Sequence, residues 1–312
     1  MNEAICANCE AVLGGEYCAA CGQRRFRPQD RRMAHLMGES FGALTDFDSR
    51  IWRSLRAILL QPGRIASDWI DGRRARWISP VRLFLFANLI YFIAPVLTDL
   101  SLPLHNQVRG EAYRQLAPGR CIDTADAPKC RWSGQFHSAL TEPAFLHAVA
   151  RERAVAGARG RAFNPGEFEQ RYNARSDGIG KMLVILHVPF IAAMLALAAR
   201  NRRRYYAEHF VVALGLVTFV LLLMQAVVNP MVWLYAVAHR AWGVLPGGSV
   251  ASTIGQATLV AVLAHFALAC RRCYRSGWPM GVLQGALAFL ALGLTSIFVY
   301  RPVQFLLSLW TM

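Results

Sequence analysis

Long apolar runs alternate with arginine-rich polar stretches along most of this 312-residue chain. An uninterrupted apolar run of about 18 to 20 residues is long enough to cross a bilayer as a helix. The pattern predicts five such spans, at residues 81–98, 182–199, 210–228, 253–270 and 280–300. The predicted fold class is therefore all-α, a polytopic bundle of about five transmembrane helices with residues 80–312 as the transmembrane domain.

One further apolar stretch does not fit the spanning pattern cleanly. Residues 231–244 follow Asn229-Pro230, which we expect to end the third span, and they are interrupted by His239-Arg240. We interpret this stretch as an interfacial or re-entrant segment, and a sixth span is the alternative. Residues 306–310 are apolar but too short to cross.

Short amphipathic segments precede the first span. An apolar stripe at helical spacing runs over residues 33–44, and a second predicted helix begins at Asp48 or Ser49. A third helix covers residues 65–70 and is expected to stop at Asp71-Gly72. Basic faces with tryptophan beside a span are typical of helices in the headgroup layer, so residues 26–79 are predicted to form cytoplasmic interfacial helices. A small soluble helical domain is the alternative.

The composition supports a membrane protein. The chain is 55% hydrophobic and 17% charged, with a mean hydropathy of +0.29 and a net charge of +15. A charge of this sign is typical of proteins that bind nucleic acid or an anionic membrane surface. Because the arginines flank the apolar runs, the lipid bilayer is the predicted partner.

The arginines also predict an orientation. They cluster before the first span, between the second and third spans, and between the fourth and fifth spans. Positive loops stay in the cytoplasm, so the N-terminus is predicted to be cytoplasmic and residues 99–181 to be a periplasmic loop. The chain opens without a secretory signal, so the first span is expected to be an uncleaved anchor.

The predicted periplasmic loop contains two further cysteines, Cys121 and Cys130. A disulfide between them is reasonable in an oxidising compartment, and two unpaired thiols are the alternative. Helices are predicted in this loop at residues 143–153 and 165–172.

The first 25 residues carry two Cys-x-x-Cys pairs, formed by Cys6, Cys9, Cys18 and Cys21. Two such turns facing each other make a tetrahedral four-sulfur cage that suits Zn²⁺, so we predict a zinc ribbon. Two disulfides, a redox dithiol and an iron–sulfur cluster are the alternatives. Gly22 suits the left-handed backbone of the second knuckle, whereas Glu10 makes the first one less regular. With four protein ligands, the zinc is expected to be structural.

Polar residues inside the spans are the other candidate site. Glu208, His209, His265 and Gln284 all fall toward the predicted inner face, and polar groups in spans are functional candidates. Cys270 and Cys273 share a helix face nearby and could join a histidine in a second metal or redox site. Interhelical hydrogen bonds by the histidines, and juxtamembrane thiols without chemistry, are the alternative interpretation.

Several motifs together resemble a known family. They are the two cysteine knuckles with Tyr17 and Gln23, Asp46-x-Asp48, Gln61-Pro62-Gly63, the stretch from Asp71 to Pro80, and Tyr205-Tyr206-x-Glu208-His209-Phe210. This set resembles a bacterial family of multi-pass inner-membrane proteins with an N-terminal zinc ribbon and no assigned function. The resemblance spans most of the chain except the outer loop, and it departs at Glu10, where that family usually has glycine. It implies an architecture and a location but no activity.

The sequence lacks the nucleophile elbow, the P-loop and the His-Glu-x-x-His helix. It therefore favours a non-enzymatic protein whose ribbon has a docking, regulatory or scaffold role, with a protein partner bound through the ribbon. The alternative is a small transporter or lipid-handling enzyme that uses the inner polar cluster. Nucleic acid is not favoured, because the knuckle tips at Ala7, Asn8, Ala19 and Ala20 carry no charge.

Overall fold

The computed structural model describes residues 5–27, 30, 32–33, 50–93, 102–117, 134–199, 204–242 and 247–312, with the backbone alone at 239–240, 242 and 247–251. Within these ranges the regular structure is helical, and strand-like pairing is limited to two isolated bridges, Ile5 with Val12 and Tyr17 with Arg24. The predicted all-α fold class is confirmed.

The helices, numbered in chain order, are α1 (Arg50–Leu60), α2 (Arg64–Ile70), α3 (Pro80–Ile93), α4 (Leu104–Gln107), α5 (Gly110–Leu116), α6 (Ser138–Ala158), α7 (Pro165–Leu183), α8 (His187–Ala198), α9 (Tyr206–Leu223), α10 (Asn229–Trp242), α11 (Gly247–Tyr274), α12 (Trp278–Thr295) and α13 (Arg301–Trp310).

Among the described residues, four continuous helices are long and apolar enough to cross a membrane. They cover Pro165–Ala198, Tyr206–Ala238, Ser252–Tyr274 and Trp278–Trp310. A fifth apolar helix, Pro80–Ile93, is shorter, and the predicted end of that span at 94–98 lies outside the described residues. The predicted stripe at 33–44 also falls almost wholly outside them.

Two of the long helices continue through a proline, which corrects the prediction that Asn229-Pro230 ends a span. A π-helical turn at Met224–Val228 joins α9 to α10, and another at Ser296–Tyr300 joins α12 to α13. Both wide turns stand directly before an X-Pro pair, Asn229-Pro230 and Arg301-Pro302. Proline lacks an amide proton and its ring crowds the carbonyl four residues earlier, and the wider turn accommodates both effects. Residues 231–238 are therefore a continuation of one helix.

The described chain divides into two compact units, residues 1–98 with 187–292 and residues 99–186 with 293–312. The first unit is centred on α9, of which nearly every residue is buried against α8 and α3. Such a helix, apolar all round, is expected at the middle of a bundle.

Close helix packing in the first unit depends on two glycines of α12. A Cβ atom on Gly285 would lie 2.6 Å from the backbone nitrogen of Ala267, and one on Gly281 would lie 2.7 Å from the Cβ of Arg271. These glycines stand four residues apart on the α12 surface that meets α11. Small residues at this spacing let two membrane helices approach at backbone distance.

The second unit has its own aromatic core. The side chains of Phe145 on α6, Phe168 and Tyr172 on α7, and Phe305 on α13 are all fully buried there. The Asn164 side chain caps α7 by accepting hydrogen bonds from the amides of Gly166 and Glu167. Helix α7 therefore begins where the Asn-Pro pair predicts, although it runs well past residue 172.

A four-cysteine centre docked on an arginine-rich loop

The ribbon brings its four cysteines together. The sulfur atoms of Cys6 and Cys21 lie 3.7 Å apart, those of Cys9 and Cys18 lie 3.5 Å apart, and all four lie within 4.8 Å of one another. All four are free thiols in this structure. Among the described residues this is the group that could hold a metal ion.

Two equivalent hairpins carry the sulfurs, and each half of the ribbon repeats the other after twelve residues. The amide of Cys6 donates to the carbonyl of Ala11, as that of Cys18 donates to Gln23, both at 2.9 Å. The bridges between Ile5 and Val12 and between Tyr17 and Arg24 close the two hairpins at the same relative positions. This repeat makes Ala11 and Gln23 corresponding residues.

The turn residue after each cysteine pair has a left-handed backbone. Gly22 has φ +70° and Glu10 has φ +64°, and their amides donate to the carbonyls of Cys18 and Cys6. Glycine takes this conformation without steric cost, whereas a residue with a Cβ is strained there by roughly 1 kcal/mol. The predicted irregularity of the first knuckle is thus a strained Glu10.

The thiols influence one another's protonation. The backbone amide of Gln23 lowers the pKa of the Cys21 thiol to about 7. The backbone amide of Ala11 lowers the pKa of Cys9, but hydrogen bonds with Cys21 and Cys18 outweigh it and raise that pKa to about 12. Four sulfurs at this distance cannot all become thiolates without a cation, because neighbouring negative charges repel.

The side chain of Gln23 hydrogen-bonds the ribbon to the loop between α2 and α3. Gln23 donates from Nε2 to the carbonyl of Gly72 at 2.7 Å, and its Oε1 accepts from the amides of Arg74 and Ala75 at 2.9 and 3.0 Å. Gln23 is itself buried, with 9% of its surface exposed. It therefore satisfies three backbone groups of residues 71–76, which we call the docking loop.

Arg74 of the docking loop completes the contact. Its guanidinium lies over the rings of Phe26 and Trp69, with 4.8 and 4.6 Å to the ring centroids, and donates to the carbonyl of Asp30 at 3.2 Å. Arginine is suited to this position because its planar cation stacks on aromatic faces while its edge donates hydrogen bonds.

Gly72 allows the close approach of ribbon and loop. Its φ is +84°, and a Cβ there would lie 3.2 Å from the Cβ of Ala7 and 3.3 Å from the ring of Phe26. The uncharged knuckle tip at Ala7 therefore faces the protein's own loop.

The docking loop is in turn fastened to the end of α11. Arg275 contacts Asp71, and Arg272 donates to the carbonyl of Pro62 at 2.7 Å. Gly63 also lies directly against α11, because a Cβ at this position would be 2.7 Å from the carbonyl oxygen of Ala269. Residues next to the metal centre are thus connected to a membrane-length helix through one short loop.

The predicted polar residues of the spans are all buried, and the two histidines lie at different levels of the α9–α11 pair. His209 stacks on Tyr274 and its Nδ1 lies 2.8 Å from the Tyr274 hydroxyl, whereas His265 stacks on Phe219 with 3.5 Å between ring centroids. Phe219 follows His209 by ten residues, which is about 15 Å along a helix. The two histidines therefore stack on different aromatic partners at different positions along the helices.

Glu208, beside His209, lines a cavity of about 20 Å³ together with Trp69 and Arg74. That volume holds about one water molecule. Gln284 is buried with its Oε1 lacking a hydrogen-bond partner among the described residues.

The second pair of thiols is also buried. The Cys273 thiol donates to the carbonyl of Gly63 at 3.3 Å, and Cys270 is fully buried. Cys121 and Cys130, by contrast, lie outside the described residues, so their disulfide stays a prediction.

Comparison with known proteins gives one family match. The family described as "Protein of unknown function (DUF3667)" matches residues 48–92, which include α1, α2, the docking loop and α3. No curated protein and no solved structure matches the chain. The matched segment includes the loop that receives Gln23, but not the cysteines.

Sequence reasoning singled out the cysteines but missed the residue that docks them. Gln23 appeared only as part of a motif, although its position provides a signal. Gln23 follows Cys21 by two residues, as Ala11 follows Cys9, so the two positions are equivalent in the repeat. A glutamine side chain at only one of them indicates a contact that the second knuckle makes and the first does not.

Proposed function

We propose that this protein is a bacterial inner-membrane protein in which a cytoplasmic zinc ribbon is a docking and regulatory module for a transmembrane helix bundle. The observation that carries the proposal is the insertion of Gln23 into the docking loop, which connects the metal centre to the membrane helices.

Zinc is the metal we propose for the four cysteines. Four sulfurs arranged tetrahedrally about Zn²⁺ at about 2.3 Å lie roughly 3.8 Å from one another. The sulfur separations of 3.7 Å for Cys6–Cys21 and 3.5 Å for Cys9–Cys18 are close to that value. With four thiolates and no open position, the ion would fold the ribbon and perform no catalysis.

The proposed orientation places the ribbon in the cytoplasm. The contacts of Arg275 with Asp71 and of Arg272 with Pro62 favour a common side for the docking loop and the α11–α12 connection. Both regions are rich in arginine, and short basic loops remain on the cytoplasmic side. On α1, Trp52 and Leu60 are 77% and 66% exposed, which suits a helix that lies in the headgroup layer.

The ribbon also offers a surface for a protein partner. Ile5 and Val12, which are bridge partners, are 65% and 59% exposed, and Tyr17 is 65% exposed. Exposed apolar residues at one small module are typical of a protein contact. We propose that a partner binds these three residues, which we call the ribbon patch, while Gln23 holds the docking loop.

The zinc proposal is tested by measuring the metal content of the full-length protein in detergent. One zinc per chain is expected in the wild type and none in a Cys9→Ser/Cys18→Ser variant. Iron with visible absorbance, or wild-type protein without metal and with oxidised cysteines, would reject the zinc ribbon.

The docking proposal is tested by crosslinking in cells followed by purification. A variant with Ile5, Val12 and Tyr17 changed to serine should lose the crosslinked partner while it keeps its zinc. A Leu140→Ser variant, at a residue 78% exposed elsewhere, is the matched control and should keep the partner. If deletion of residues 1–25 leaves every crosslinked species in place, the docking role fails.

A further inference from the structure

Two clefts in the first unit are rich in arginine, which provides four of six lining residues in one and three of six in the other. One has a volume of about 410 Å³, and its lining residues are Arg64, Ser67, Asp68, Arg73, Arg76 and Arg272. The other has a volume of about 350 Å³, and its lining residues are Pro62, Leu268, Arg271, Arg272, Arg275 and Ser276. Arg272 lines both clefts, so the two clefts are neighbours.

The positive charge of the first cleft is only partly balanced. Asp68, its one acidic lining residue, already accepts from Trp77 Nε1 at 2.8 Å and pairs with Arg73 at 3.0 Å. Arg64 donates to the side-chain oxygen Oε1 of Gln61 at 3.1 Å, and Arg272 donates to the backbone carbonyl of Pro62. In the described part of the chain, Arg64, Arg76 and Arg272 have no carboxylate partner. Three such cations around one cleft favour a multiply charged anion.

The second cleft adds apolar surface to this charge. Leu268, on its wall, is 38% exposed, and Val260, two turns earlier on α11, is 64% exposed. Arg271 lies over the ring of Trp278 at 4.0 Å, an arrangement typical of a membrane–water interface. A ligand bound here would therefore meet guanidinium groups at one end and an apolar helix surface at the other.

We propose that the two clefts bind the phosphate headgroup of an acidic phospholipid, with its acyl chains along the exposed apolar surface of α11. Guanidinium groups suit this ligand because they donate paired hydrogen bonds to phosphate oxygens. Basic pockets at the cytoplasmic ends of membrane helices are a recurrent type of acidic-lipid site. Because Arg272 belongs to both clefts, a headgroup with two phosphates is expected to bind more tightly than a headgroup with one.

The lipid site is independent of the ribbon's metal and goes beyond the proposed function. Its lining residues come from Pro62, α2, the docking loop, the end of α11 and the two residues after it, and none of them has a described contact with the four ribbon cysteines. Loss of zinc or of a ribbon partner would therefore test one proposal, and loss of lipid would test the other.

The test uses full-length protein purified in mild detergent and incubated with mixed micelles of cardiolipin, phosphatidylglycerol or phosphatidylcholine. Native mass spectrometry then counts the lipid retained per chain. We expect retention in the order cardiolipin, phosphatidylglycerol, phosphatidylcholine. An Arg64→Gln/Arg76→Gln/Arg272→Gln variant should bind acidic lipid more weakly by roughly fivefold for each arginine neutralised.

The matched control removes the same charge elsewhere. Arg151, Arg159 and Arg161 are exposed residues of the second unit, and their triple change to glutamine should leave lipid retention at the wild-type level. An Arg64→Gln/Arg76→Gln variant keeps the Arg272 bond to Pro62. It should show about two thirds of the triple variant's effect in logarithmic units, which is a weakening of roughly 25-fold. Equal loss in the control and cleft variants would overturn the proposal, as would wild-type retention in both cleft variants.

A competition arm distinguishes a lipid from a soluble phosphate compound. Inorganic phosphate and glycerol 3-phosphate are added at millimolar concentration to the protein loaded with cardiolipin. Retention of the lipid supports a membrane ligand. Displacement by either soluble phosphate, with direct binding of that compound to the delipidated protein, would overturn the assignment to lipid.

Discussion

The guanidinium of Arg275 donates from one nitrogen to both carboxylate oxygens of Asp71, at 3.0 Å each, across 204 positions of the chain. Arg275 directly follows α11 and has φ +50°, whereas Asp71 directly follows α2 and also pairs with Arg73 at 2.8 Å. The pair joins two helix ends, and its position next to Gly72 places it beside the contact with the ribbon.

An Asp71→Asn change tests how much this pair contributes. Arg275 is 73% exposed, so solvent screens the attraction and the coupling energy with Arg275→Gln should be at most about 1 kcal/mol. A double-mutant cycle on thermal unfolding in detergent measures it, and the coupling should decrease at high salt. A coupling well above 2 kcal/mol that is insensitive to salt would contradict this prediction.

Truncating Gln23 to alanine should have a larger effect. The change leaves the carbonyl of Gly72 and the amides of Arg74 and Ala75 without their buried partner, at a cost of about 2 to 4 kcal/mol to ribbon docking. We expect unchanged zinc content but faster proteolysis at residues 71–76. Gln170→Ala, at an exposed helical glutamine, is the control and should leave the digestion pattern unaltered. Full protection of the loop in the Gln23 variant would show that docking does not depend on this side chain.

The two ribbon turns should respond in opposite directions to substitution. Glu10→Gly relieves a strained left-handed backbone and should slow zinc loss to a chelator by a few-fold, since the relief is roughly 1 kcal/mol. Gly22→Ala introduces the same strain and should speed zinc loss by a similar factor. Release of zinc to a colorimetric chelator measures both rates, and equal rates in the two variants would reject the strain argument.

A pair of glycines on one helix provides a test of packing. Gly285→Ala would bring a Cβ to 2.6 Å from the backbone of Ala267, so α11 and α12 must separate at a cost of about 1 to 3 kcal/mol. Gly293→Ala meets nothing within 4 Å and should be neutral or slightly stabilising, because alanine favours helix. Thermal unfolding of the two variants in the same detergent gives the comparison. A similar midpoint for both would mean that the helices are not in close contact.

His137 of the second unit predicts a dependence on pH. It is 1% exposed, and burial together with the nearby charge of Arg301 lowers its pKa to about 4. Its Nδ1 lies 3.2 Å from the hydroxyl of Thr141. Because the unfolded histidine has a pKa near 6.5, the folded state is progressively destabilised as the pH falls from about 6.5 to 4, by about 3 kcal/mol at most.

Hydrogen exchange of α6 as a function of pH measures this effect. Protection should be constant above pH 7 and decrease toward pH 4, and a His137→Gln variant should lack that histidine-dependent decrease. Equal pH dependence in the two proteins would assign the effect to other groups.

Local patterns predicted much of this structure. The cysteine spacing predicted the four-sulfur cluster, Asp71-Gly72 predicted the end of α2, and Asn164-Pro165 predicted the start of α7. Each of these features depends on residues at most 15 positions apart. Periodicity, caps and turns are set at that range, so a sequence read alone can find them.

The features that were predicted wrongly or missed depend on tertiary packing and on contacts between distant parts of the chain. The passage of α9 into α10 through Pro230 requires a wider turn, whose formation depends on packing around the helix. The bond of Gln23 to Gly72 spans 49 positions, and the bond of Arg272 to Pro62 spans 210. Spacing within either segment cannot reveal such contacts, because they arise only when the chain has folded.

The twelve-residue repeat of the ribbon means that its metal would sit between two halves with different neighbours. The second half is held by the rest of the chain through Gln23, whereas the first half has alanine at the same place. When a metal leaves such a centre, the second hairpin keeps its hydrogen bonds to the docking loop, whereas the first keeps only the approach of Ala7 to Gly72. Demetallation should therefore begin by fraying at Ile5–Val12, so the ribbon would open from one side only.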